Sequence, residues 1–121
     1  MADNQLVTLS KVFAISTINL CEKMKVRGKA AAVIDQMMRS GTSIGANIHE
    51  ANYASSKADF INKLKIALKE CYETEYWLEL MQKAELITMD AASPLLRDCG
   101  TLRRMLISSI NTAKQNQGKE Q

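Results

Sequence analysis

Apolar residues recur at intervals of three and four along four successive segments of the chain, and no segment shows a comparable alternation with period two. This spacing gathers apolar side chains on one face of an α-helix, which turns once in about 3.6 residues. The predicted helices cover about 3–24, 29–52, 56–84 and 89–116, and the tail 117–121 is expected to be frayed. The chain has one Pro and is rich in Leu, Ala, Lys and Glu, which also favours an all-α fold.

Short connections join these four segments. Turns of roughly three to six residues make consecutive helices neighbours that run antiparallel. A chain of 121 residues is long enough for one sizeable core and too short for two. The sequence therefore predicts one domain, 1–121, folded as an antiparallel up-down-up-down four-helix bundle. Ser56 and Asp59 form a capping-box pattern at the start of the third helix, whereas Thr88 and Ser93 are alternative caps for the fourth.

The sequence lacks the signals of export, membrane insertion and metal binding. No basic leader precedes an apolar run at the N-terminus, and no segment approaches roughly 18 uncharged apolar residues. Cys21, Cys71 and Cys99 are odd in number and form no C-x-x-C pair. We therefore expect a cytoplasmic protein with no membrane contact, buried reduced thiols, and no cofactor or metal.

Residues 39–51, RSGTSIGANIHEA, combine residue types typical of loops with a place inside the second predicted helix. A polar stripe beside the apolar one consists of Arg39, Ser40, Ser43, Asn47 and Glu50. Gly41 and Gly45 leave almost no side-chain bulk, although an interior Gly costs a helix about 1 kcal/mol relative to Ala. Close approach of another helix would offset that cost; the alternative is that both glycines are merely tolerated. The chain's one His, His49, has no nucleophile in reach on its own helix, so we interpret it as a surface or interface residue rather than a catalytic one.

A second apolar line on two of the helices predicts self-association. The core stripe of the first helix is expected to contain Leu6, Leu9, Val12, Phe13, Leu20 and Met24. The candidates for a subunit interface on the first and third helices are Val7, Ala14, Ile18, Ile66, Trp77 and Leu80. Contiguous apolar surface on a soluble chain usually marks a contact.

Glu75 falls in the middle of the apolar stripe of the third helix. A buried carboxylate needs a partner. Arg103, at the edge of the fourth stripe, is the candidate, with Asn47 or Ser43 as alternatives. We predict a structural ion pair between Glu75 and Arg103 rather than a catalytic carboxylate.

Three blocks, RSGTSIGANIHEA, SSKADFINKLKIALKECYETEYWLEL and RRMLISSI, resemble the 23S rRNA-intervening sequence protein family, whose members also carry a ribosomal-protein label. The resemblance spans about residues 5–112, and its most specific part is the pattern Arg-Ser-x-x-Ser-Ile-x-x-Asn-Ile-x-Glu, which begins at Arg39. The chain departs from the family at His49 and at Lys69 and Glu70. The resemblance implies a four-helix bundle assembled as a homopentamer, no enzymatic activity, and a role with RNA or DNA. A more distant similarity to the accessory variability determinant of retroelements implies the same use of a basic surface.

The basic residues are concentrated in the first part of the chain. Residues 1–69 carry ten basic and five acidic side chains, whereas 70–121 carry six and eight. The candidate phosphate contacts are Lys23, Lys25, Arg27, Lys29, Lys65, Lys69, Arg97 and Arg104. The aromatic residues available for stacking on single strands are Tyr53, Tyr72, Tyr76 and Trp77. This pattern favours nucleic-acid binding; the alternatives are an ordinary solvated surface and an adaptor that binds a protein client.

Overall fold

Four α-helices make up the computed structural model, which describes residues 1–26, 28 and 30–120. They are α1 (Asn4–Val26), α2 (Ala31–Ala51), α3 (Lys57–Lys83) and α4 (Met89–Glu120). Each helix packs on the next, and α4 returns to α1. No β-strand occurs in the described part of the chain. The all-α, up-down-up-down four-helix bundle predicted from the sequence is confirmed.

The helix ends follow from local backbone chemistry. Ser56 caps α3, since its hydroxyl accepts a hydrogen bond from the amide of Asp59 at 3.0 Å. Thr88 rather than Ser93 caps α4, because the amide of Ala91 donates to the Thr88 hydroxyl at 3.1 Å. Ala30 adopts a left-handed conformation with φ of 55°, which a helix cannot contain, so α2 begins at Ala31; residue 29, the predicted start, lies outside the described residues.

The C-terminal tail is more regular than the sequence analysis predicts. The helix α4 continues to Glu120, four residues past the expected end at 116, whereas the prediction was a frayed tail at 117–121. Gln and Lys are good helix formers, so a single Gly118 near the end does not stop the helix. Gln121 lies outside the described residues.

The predicted core face of α1 is partly wrong. Val12 is 51% exposed, whereas Ser10 and Thr17 are fully buried beside Leu6 and Phe13. The hydroxyls of Ser10 and Thr17 donate to backbone carbonyls of their own helix, at 2.9 Å each, and so can be buried without loss of hydrogen bonds. Their small size turns this side of α1 toward α2 and rotates Val12 toward solvent.

Two glycines of α2 explain why α1 can lie so close. A Cβ atom on Gly41 would lie 2.7 Å from Thr17 Cγ2, and a Cβ on Gly45 would lie 3.3 Å from the Ser10 carbonyl oxygen. Contacts of 2.7 Å do not occur between carbon atoms in folded proteins. The close approach of α1 therefore requires Gly41, and the alternative that this glycine is merely tolerated is wrong.

Candidate nucleic-acid interface

Arg39, the first residue of the family pattern, ties α2 to α3. Its guanidinium donates to Glu70 Oε2 at 3.0 Å and pairs with the Glu73 carboxylate. The Trp77 indole donates to the same Glu73 oxygen at 3.0 Å. The Trp77 hydrogen bond, aided by Arg39, holds the pKa of the Glu73 carboxyl below its ordinary value, and Glu73 in turn raises the pKa of Arg39. Arg39 is thus committed to two carboxylates and is not a free cation for a ligand.

The other polar residues of the pattern are also satisfied within the chain. Ser40 and Thr74 are fully buried, and their hydroxyls share a hydrogen bond of 2.9 Å between α2 and α3. Ser43 and Asn47 donate to backbone carbonyls four residues earlier, at 2.6 and 2.9 Å. Glu50 is exposed and pairs with a lysine of α3 at 3.5 Å. The pattern therefore serves the packing of α2, and none of its polar groups is held ready for a ligand.

Glu75 and Arg103 form the ion pair that the sequence predicts. Arg103 Nε donates to Glu75 Oε1 at 2.7 Å, and Glu75 raises the pKa of Arg103. The pair is only partly buried, since the Glu75 and Arg103 side chains are 22% and 28% exposed. The core positions of this part of α3 are occupied by Thr74 and Leu78, not by Glu75. The most buried carboxylate is Glu70, at 8%. Asn47 and Ser43, the alternative partners, bond elsewhere.

The eight candidate phosphate contacts divide into separate groups. Arg27 and Lys29 lie outside the described residues. Lys23 and Lys25 are in the last turn of α1, where a cation stabilises the helix, and Lys25 pairs with Glu22 at 3.7 Å. Arg97, on the outer side of α4, lies 3.3 Å from Asp98. Lys23 and Lys25 lie at the C-terminal end of α1, whereas Arg97 shares the outer side of α4 with Arg104, about 10 Å away along the helix.

The remaining three, Lys65, Lys69 and Arg104, are exposed near the middle of the bundle. Within the described chain, none of them has a carboxylate oxygen within 4.0 Å, although Lys69 acts at longer range on Glu73. At 100° per residue, Lys65 and Lys69 share an arc of about 60° on α3 with Tyr72 and Tyr76. The two tyrosines are 54% and 56% exposed.

Two guanidinium groups of α4 border this strip. Arg103 Nη2 and Arg104 Nη1 lie 3.5 and 3.4 Å from the place where a Cβ atom on Gly100 would be. The Arg103 guanidinium also lies over the Tyr72 ring, 6.0 Å from its centroid. Both guanidinium groups therefore lie beside Gly100, and that of Arg103 also contacts the aromatic strip. We call this surface the α3–α4 face; its residues are Lys65, Lys69, Tyr72, Tyr76, Arg103 and Arg104.

The family model for the 23S rRNA-intervening sequence protein matches residues 2–108. The chain belongs to this family. A similar solved structure is that of a protein of unknown function from the S23 ribosomal protein family of Bacteroides thetaiotaomicron VPI-5482. The two chains are 47% identical, with a TM-score of 0.84, over 87% of this chain and 97% of the other. None of the curated proteins compared with the chain matches it.

In this 23S rRNA-intervening sequence family member, the predicted subunit-interface residues differ in exposure. Val7 and Trp77 are half-buried and pack against the core, and Ala14 and Ile66 are also half-buried. Ile18 and Leu80 are exposed, at 41% and 38%. Two further apolar residues of α1, Val12 and Ile15, are 51% and 58% exposed, although the apolar pattern predicts Val12 in the core. The α1 apolar strip, defined as Val12, Ile15 and Ile18, lies diagonally opposite α3, since α1 and α3 make no contact.

The reactive side chains of this family member are inaccessible or dispersed. All three cysteines are buried, and burial raises the pKa of the Cys21 thiol to about 11. The hydrogen bond with Cys71, together with burial, raises the pKa of the Cys99 thiol. His49 is exposed beside the Tyr53 ring, at 5.3 Å between centroids. The described residues contain no group of three potential metal ligands, and none of their helices is long and apolar enough to cross a membrane.

Proposed function

We propose that this chain is a non-enzymatic cytoplasmic scaffold that assembles into a homo-oligomer and binds RNA or DNA through the α3–α4 face. The observation that carries the proposal is the charge pairing on this face. Of the four glutamates between residues 70 and 79 of α3, Glu70, Glu73 and Glu75 are held by Arg39, Trp77 and Arg103. The fourth, Glu79, lies about 15 Å along the helix from Lys69. The cations Lys65, Lys69 and Arg104 therefore remain available for phosphates.

The α1 apolar strip supports the assembly part of the proposal. Val12, Ile15 and Ile18 are branched apolar residues at successive intervals of three, and each is more than two-fifths exposed. Their burial against another subunit would remove apolar surface from water. Because α1 lies diagonally opposite α3, such an assembly leaves the α3 part of the α3–α4 face, with its two lysines and two tyrosines, accessible. The family resemblance favours a pentamer, in which five weak faces would act together on one long ligand.

The test is a titration of nuclease-treated protein with structured RNA and duplex DNA at two salt concentrations, with the mass in solution recorded in parallel. Each phosphate neutralised on duplex DNA contributes about −0.9 to the slope of log affinity against log salt. The variant Lys69→Gln/Arg104→Gln should flatten that slope by about 1.8. The matched control is Lys11→Gln/Lys114→Gln, which removes the same charge from exposed lysines elsewhere and should flatten the slope much less.

Equal effects of the two double variants would show that binding follows net charge and not this face. An oligomer that binds neither RNA nor DNA would contradict the proposal outright. That result would favour the adaptor alternative, in which the same bundle binds a protein client.

A further inference from the structure

We propose that the α3–α4 face takes single-stranded nucleic acid, with unpaired bases stacked on Tyr72 and Tyr76 and the backbone held by Lys65, Lys69 and Arg104. This inference rests on the proposed function and adds the class of ligand. Aromatic rings beside cations are the arrangement that single strands require, because bases stack on the rings while the cations follow the phosphates.

The two rings are held in place from behind. The Arg103 guanidinium lies over Tyr72 and is itself fixed by Glu75 at 2.7 Å. Tyr76 makes an edge-on contact with the Trp77 ring, with 5.0 Å between centroids. Trp77 is anchored in turn by its hydrogen bond to Glu73. Both tyrosines are therefore pre-oriented, so that less side-chain freedom is lost when a ligand binds.

The spacing of the rings selects unpaired bases. Tyr72 and Tyr76 are four residues apart on one helix, which places them about 6 Å apart along its axis. Stacked bases of a duplex are separated by about 3.4 Å and present no ring faces at the side of the helix. Bases splayed out from a single strand can reach both rings, and such bases are the usual targets of aromatic side chains in RNA recognition. A duplex can use the cations of this face but not its tyrosines.

The experiment compares Tyr72→Leu/Tyr76→Leu with the native chain and with the control Tyr53→Leu. Tyr53 is 78% exposed on the turn that precedes α3, so its replacement removes an exposed ring without touching the face. The probes are a 12-nucleotide oligouridylate, a 12-nucleotide oligodeoxythymidylate and a 12-base-pair DNA duplex. The readouts are the affinity for each probe, the mass in solution, and the emission of Trp77, the single Trp of the chain.

We expect the double tyrosine variant to lose about tenfold or more in affinity for both single strands, because stacking contributes to binding and does not depend on the 2′-hydroxyl. Affinity for the duplex and the mass should not change, and Tyr53→Leu should behave as the native chain. Binding of single strands to the native chain should also quench Trp77, which touches Tyr76.

Two outcomes would overturn this inference alone. In the first, the double tyrosine variant keeps its affinity for single strands, whereas Lys69→Gln/Arg104→Gln loses it. The face would then bind phosphates, but its tyrosines would not stack on bases. A change in mass caused by the tyrosine variant, with affinity per subunit unchanged, would make the tyrosines a subunit contact. Failure of the native chain to bind any of the three probes would instead overturn the proposed function itself.

Discussion

Replacement of Gly41 by Ala should destabilise the bundle, although the same change stabilises an ordinary helix. The added Cβ would lie 2.7 Å from Thr17 Cγ2 and 2.8 Å from Thr17 Oγ1. Thr17 is fully buried and its hydroxyl donates to the Phe13 carbonyl at 2.9 Å. A β-branched side chain has few rotamers, and Thr17 Cβ itself would be only 3.2 Å away, so rotation of Thr17 does not relieve the clash.

The size of the effect follows from three contributions. The loss of a helix-interior Gly favours the folded state by about 1 kcal/mol. Forcing a methyl group into a filled contact costs about 1–3 kcal/mol, and displacing the Thr17 hydroxyl from its carbonyl costs about 1 kcal/mol more. The net destabilisation is therefore about 1–3 kcal/mol, which lowers the Tm of a domain of this size by about 3 °C or more.

Urea and thermal denaturation of four variants test this reasoning. Gly118→Ala is the matched control, because nothing lies within 4 Å of a Cβ there, and its stability should be unchanged or slightly raised. Thr17→Ala removes both atoms that clash. Adding Gly41→Ala to a chain that carries Thr17→Ala should therefore cost much less stability than adding it to the native chain. If Gly41→Ala instead stabilises the protein as Gly118→Ala does, the close approach of α1 is not what requires the glycine.

Two further predictions concern the ion pairs of α3. Glu75→Ala leaves the half-buried Arg103 without its carboxylate and should lower the free energy of unfolding by about 1 kcal/mol after allowance for solvent screening; an unchanged Tm would contradict the pairing. Because the Trp77 hydrogen bond lowers the pKa of Glu73, this carboxylate stabilises the folded state fully above its unfolded pKa of about 4.3, and the contribution is lost as the pH falls through the lower folded pKa. The free energy of unfolding, measured by urea denaturation, should therefore fall less between pH 6 and pH 3 in Trp77→Phe than in the native chain. Identical pH profiles for the two proteins would refute this account.

The sequence predicts the number, order and packing of the helices because apolar periodicity determines them. It predicts the inward face of α1 less well, since Ser10 and Thr17 count as polar in any hydropathy pattern. Their burial depends on bonds to their own helix and on the glycines across the interface, which no single helix reveals. The same hydropathy pattern wrongly predicts Val12 in the core, because it counts only apolar residues.

The sequence likewise predicts only part of the candidate site. The Glu75 and Arg103 pair was predictable, because a carboxylate on an apolar stripe has few possible partners. The sequence also marks Lys65, Lys69 and Arg104 as cations, but not that they remain unpaired. That property depends on which glutamates of α3 are taken by Arg39 and Arg103 from neighbouring helices.

The hydroxyl pair of Ser40 and Thr74 also favours one alignment of α2 along α3. Two helices with repeating apolar stripes can slip by one turn, about 5.4 Å, and still bury apolar side chains. Such a slip would break the hydrogen bond between the helices, which contributes about 1 kcal/mol, while each hydroxyl keeps a carbonyl of its own helix, Glu70 at 2.7 Å for Thr74 and Met37 at 3.4 Å for Ser40. The bond of 2.9 Å thus favours the native alignment over the slipped bundles that the apolar pattern alone would permit.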